Sequence, residues 1–116
     1  MDWIKVESHS DLNKIVEESF QDSNIGVAIF KHSTRCSISS VAKMRLVSFW
    51  DFKGELPIYY LDLIAFRDIS NLIAEQFNVP HESPQLLIIK DGKCVYNASH
   101  LSISVKNIHS ELGVKS

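Results

Sequence analysis

Cys36 stands in the run His32-Ser33-Thr34-Arg35-Cys36-Ser37-Ile38-Ser39, and the second cysteine, Cys94, is far along the chain. A lone thiol among hydroxyls, an imidazole and a guanidinium points to sulfur chemistry, because the thiolate is the form that attacks a disulfide. A free cysteine has a pKa of about 8.5, and a helix N-terminus or nearby cations can lower it to roughly 3.5 to 7.5. Arg35 and His32 are the cations at hand. Cys36 and Ser39 also have the spacing of a CxxC redox pair with serine in the second position. A serine hydroxyl can hydrogen-bond to a nearby sulfur but cannot form a disulfide with it, so a group captured on Cys36 would need an external thiol for its release. The competing reading is a small packed hydrophobe, the habit of many free cysteines. The polar company on both sides argues against a position sealed in the core.

Two elements must hold this cysteine. Val27-Ala28-Ile29-Phe30 is a continuous apolar run, as expected of a strand buried on both faces. The helix predicted after Cys36 presents Ile38, Val41, Ala42, Leu46 and Phe49 at helical spacing. Cys36 then falls at the helix N-terminus, where unsatisfied N–H groups and the positive end of the dipole favour a thiolate.

The rest of the chain alternates in the same way. Trp3–Val6 reads as a first strand, and a helix capped by Ser10 carries Leu12, Ile15, Val16 and Phe20 on one face. Ile58–Leu63 reads as a third strand, and a third helix capped by Asp68 buries Ile69, Leu72, Ile73 and Phe77. Leu86–Ile89 and Cys94–Tyr96 flank Asp91-Gly92, a strong hairpin signal, and a last helix from Ser102 or Ser104 buries Val105, Ile108 and Leu112 and stops near Gly113. The order is β-α-β-α-β-α-β-β-α, an α/β fold read as one domain spanning residues 1–116. It resembles thioredoxin-like domains, which implies a three-layer α/β/α sandwich around a central mixed sheet.

Composition narrows the function classes. At 116 residues with 45% hydrophobic and 22% charged residues, the chain can bury a core without disulfides. A net charge of -2 without a Lys/Arg cluster argues against nucleic acid as a partner. No apolar run approaches the roughly 18 residues needed to span a bilayer, and Met1-Asp2-Trp3-Ile4-Lys5 lacks a secretory pattern. The expected setting is therefore the cytoplasm, where both cysteines stay reduced. Neither a CxxC pair nor an HxxxH arrangement is present, so no metal site is expected. Cys94 is read as a packed or partly exposed strand residue, and a resolving role would require closeness to Cys36.

Phe30-Lys31-His32-Ser33-Thr34-Arg35-Cys36-Ser37-Ile38-Ser39-Ser40, Ser83-Pro84-Gln85 and Ala98-Ser99-His100 together resemble the monothiol bacilliredoxins, the YtxJ-like proteins of the bacillithiol system. The resemblance implies removal of bacillithiol from oxidised protein cysteines, with Cys36 as the attacking residue and Thr34, Arg35, Ser37, Ile38 and Ser39 supporting it. Ser39 would stand where dithiol relatives carry a resolving cysteine. His32, Ser83, Pro84, Ser99 and His100 would line the substrate groove. Only about 5–6% of X-Pro bonds are cis, so the residues alone argue for trans at Ser83-Pro84, whereas the resemblance implies cis. The Ser83 backbone could then pair with the substrate as a short antiparallel strand.

Bacillithiol enters as co-substrate with no bound cofactor, and the partners implied are S-bacillithiolated client proteins and a low-molecular-weight thiol. Family members often have proline directly after the cysteine, where this chain has Ser37. Two alternatives remain: a redox-inactive thioredoxin-like binding module, and a glutaredoxin-like iron–sulfur carrier using one Cys36 from each of two chains.

Overall fold

A computed structural model describes residues 1–52 and 54–113, and at its centre lies Val27–His32 (β2), buried along its whole length. A strand buried on both faces needs partners on both edges and helices above and below. Ile58–Asp62 (β3) lies parallel to β2 on one side, and Gln85–Lys90 (β4) lies antiparallel on the other. Trp3–Lys5 (β1) pairs in parallel with β3 and Lys93–Ser99 (β5) pairs antiparallel with β4, so the strand order is β1-β3-β2-β4-β5.

His9–Ser19 (α1) and Arg67–Phe77 (α3) bring Leu12, Ile15, Ile69, Ile73 and Phe77 against Val27, Ile29 and Leu87 on one face of the sheet. Ser37–Phe49 (α2) and Val105–Leu112 (α4) bring Ala42, Leu46, Val105 and Ile108 against Ala28, Phe30 and Leu86 on the other. The period-2 alternation of β2 thus sorts its side chains into two cores, giving the three-layer α/β/α sandwich and element order expected from the sequence. A short 3-10 turn, His100–Ser102, joins β5 to α4.

Several local expectations shift. Ser8 caps α1 by accepting from Asp11 N–H at 3.1 Å, because Ser8 is extended and Ser10 is already helical. Phe20 follows the helix and is 58% exposed, so it is not a core residue. Asp68 lies inside the first turn of α3, whose N-cap, Phe66, has no side-chain capping bond. The preceding turn is organised instead by Asp62, whose Oδ1 accepts from Ile64 and Ala65 N–H. The largest departure is α2, where Ile38, Val41 and Phe49 are exposed. This helix is apolar on several sides, and only the stripe through Ser39, Ala42 and Leu46 faces the sheet.

Other local features match their signals. Asp91 and Gly92 have φ of 52° and 76°, the positive pair required by a two-residue hairpin turn. Ser104 caps α4, and Gly113, with φ 67°, ends it. Among the described residues no helix is long and apolar enough to cross a membrane.

Candidate active site

β2 delivers the chain to the cysteine. His32 pairs with Asp62 at the end of the ladder, after which Cys36 N–H donates to Ser33 C=O at 3.2 Å and closes a turn. Cys36 is the N-cap of α2, with φ -113° and ψ 120°, and its C=O accepts the first helical bond from Ser40 N–H at 3.1 Å. Its side chain makes no capping hydrogen bond, and the residue is half-buried. Thr34, Arg35, Ser37 and Ile38 around it are exposed. The sulfur therefore belongs to a solvent-reachable residue at a helix mouth, where first-turn N–H groups and the dipole suit an anion.

Ser39 behaves differently from the expectation of a hydroxyl aimed at the sulfur. It is fully buried, its Oγ accepts from Ser33 N–H at 3.0 Å, and it lies 2.7 Å from His32 Nδ1. Burial pushes the His32 pKa down, with the Lys43 charge adding to the effect and Asp62 and Ser39 opposing it. A neutral ring accepts at Nδ1 from Ser39 O–H, the arrangement that satisfies both groups. Burial thus works against a positive charge on His32 beside the cysteine loop. At 5% exposed, between Phe30 and Tyr60 at centroid distances of 5.7 and 5.5 Å, it is a support beneath the loop and not a groove wall.

The other side of the site comes from β4. Ser83-Pro84 is cis, Pro84 is buried, and Lys31 pairs with Gln85, so Pro84 lies at the sheet end from which the cysteine loop leaves. Ser99 pairs with Gln85, and His100, with φ 55°, donates its backbone N–H to Pro84 C=O at 3.0 Å. The His100 ring reaches Glu82 at 3.4 Å with both side chains half exposed. Ser83, Pro84, Ser99 and His100 are therefore brought together beside the cysteine loop. Among the described residues no hydrogen bond involves the Ser83 backbone.

Cys94 is remote. It pairs with Ile89, which pairs with Val27 at the far end of β2. From Val27 to His32 is roughly 17 Å at about 3.3 Å per strand residue, whereas a disulfide needs Cα atoms within about 7 Å. Burial also pushes the Cys94 thiol up, and its S–H donates to Tyr96 C=O at 3.3 Å. Among the described residues no group of three or more His, Cys, Asp and Glu side chains is placed to hold a metal ion.

Lys31, Ser70, His81 and Gln85 form a polar cluster outside the residues named above as attacking, supporting or groove-lining. Lys31 Nζ donates to Ser70 C=O at 3.1 Å and lies 3.4 Å from His81 Nδ1. Gln85 Nε2 donates to Pro80 C=O at 3.0 Å. The available signal was a lysine two and four residues after Ile29 and Val27, which places it on the same buried face.

Comparisons with known proteins bear on the family and the fold. A family model described as Monothiol bacilliredoxin BrxC matches residues 4–108. A solved structure of a candidate oxidoreductase with a thioredoxin fold is 33% identical, covering 94% of this chain and 92% of that one, with a TM-score of 0.79. Thioredoxin from Fasciola hepatica superposes with a TM-score of 0.71 at 17% identity, covering 97% of this chain and 99% of its own. Thioredoxin O1 from Arabidopsis thaliana, in its oxidised state, also has a TM-score of 0.71, at 16% identity, with coverages of 96% and 97%. The latter two likenesses establish the thioredoxin fold.

Proposed function

The chain belongs to the monothiol bacilliredoxin family, a thiol redox family on the thioredoxin fold, and from that premise we propose that it removes bacillithiol, or a similar small thiol, from mixed disulfides on protein cysteines. The observation that carries this reading is the placement of Cys36 as the half-buried N-cap of α2, with a serine, Ser39, three residues on and its hydroxyl turned into the loop.

In the first step the Cys36 thiolate attacks the bacillithiol sulfur of the mixed disulfide. The client S–S bond breaks, the client leaves as a thiolate that takes a proton from water, and bacillithiol is left disulfide-bonded to Cys36. With Ser39 unable to attack and Cys94 at the far end of the sheet, release requires a second small thiol or a separate reductase. A second bacillithiol would attack the bacillithiol sulfur, free Cys36 and leave as the small-molecule disulfide. The extended client segment would pair with the Ser83 backbone. The reading also carries S-bacillithiolated cytoplasmic proteins as clients and no bound cofactor.

The test is incubation with a bacillithiol-modified protein followed by mass spectrometry. Addition of one bacillithiol to wild type but not to Cys36→Ala is expected. No transfer to wild type would overturn the proposal and favour a redox-inactive binding module.

A further inference from the structure

Lys31 and Gln85 are 0% and 1% exposed, and they face each other across β2 and β4 on the side covered by α1 and α3, away from α2 and its cysteine. Among the described residues no carboxylate pairs with the Lys31 ammonium. Gln85 Oε1 is buried without a hydrogen-bond partner. Apolar residues of similar size would pack here without those costs, so stability alone does not account for the pair.

What the two side chains share is their target. Gln85 Nε2 holds Pro80 C=O, while Lys31 Nζ reaches the His81 ring and the Ser70 carbonyl of α3. Ser70 Oγ lies 3.4 Å from the same His81 nitrogen. From the opposite side, His100 N–H holds Pro84 C=O and its ring meets Glu82. The 80–84 segment, which carries Ser83, is thus gripped on two sides by groups that do not touch the sulfur.

Resting on the exchange reaction proposed above, we infer that Lys31 and Gln85 are positioning residues that clamp the 80–84 segment from behind the sheet and set the Ser83 backbone for pairing with an extended client. They act on client docking and not on the reactivity of Cys36.

The experiment measures single-turnover transfer of bacillithiol from a modified peptide to wild type, Lys31→Met and Gln85→Met as a function of peptide concentration. Loss of one clamping bond should raise the half-saturating concentration by about fivefold while the limiting rate stays within about twofold. Hydrogen exchange of the His100 amide, which donates to Pro84 C=O at the end of the segment, should quicken by about fivefold or more in both variants, with the α2 amides unchanged. Unchanged half-saturation and unchanged exchange in both variants would overturn the inference, as would equal loss of limiting rate and of Cys36 alkylation by iodoacetamide. If wild type accepts no bacillithiol, the function proposal fails by itself, and hydrogen exchange still decides whether the clamp exists.

Discussion

Replacing Lys31 by methionine should change how stability depends on pH. Lys31 is fully buried, and burial pushes its pKa from 10.5 down to about 8. Between those values the unfolded chain holds a proton that the folded chain has released, so the wild type gains stability as pH rises through that window. The penalty for burying the charged form is fully present below the folded value. A shift of about 2.5 units corresponds to about 3 kcal/mol in total, of which about 1 kcal/mol is recovered between about pH 7 and about pH 9. The neighbouring His81 is also held low, first by its own burial and then by the Lys31 and Arg67 charges, with Glu82 opposing, so it titrates below this window. Burial raises the pKa of Cys94, Tyr60 and Tyr96, which makes the wild type lose stability at the alkaline end, but those groups are common to both proteins. Urea unfolding followed by tryptophan fluorescence across that range should show the wild type gaining on Lys31→Met by about 1 kcal/mol. A difference that stays constant with pH, or moves the other way, would refute the claim that this ammonium is buried at a cost.

Ser39→Ala removes the buried hydroxyl shared by Ser33 N–H and His32 Nδ1, and should lower unfolding free energy by about 1–3 kcal/mol in urea titration. Ser37→Pro sits at the first position of α2, where proline is tolerated, so circular dichroism should be retained while the exchange rate of Cys36 changes. Gly92→Ala combines a φ of 76° with a Cβ 3.2 Å from Phe20 Cζ, and should cost about 1–2 kcal/mol, read as a lowered Tm.

The residues of this chain determine a good deal by themselves. Val27–Phe30 reads as a doubly buried strand because its four consecutive apolar side chains leave no polar face, and Asp91-Gly92 reads as a hairpin because its turn needs positive φ twice. Local signals of this kind also put Cys36 at a helix start. Tertiary packing decided the rest. Which stripe of α2 is buried cannot be read from a helix apolar on several sides: helical spacing groups Ile38, Val41 and Phe49 with Ala42 and Leu46, whereas the sheet accepts only Ser39, Ala42 and Leu46. His32 and Ser39 look like site residues from their spacing, yet they bond to each other beneath the loop because β2 runs buried to its last residue. The Lys31 and Gln85 pair exists only because strands distant in sequence lie side by side in the sheet. Turn chemistry and hydrophobic runs act over a few residues and are written in local order, whereas the direction of a side chain depends on what the completed fold lays against it.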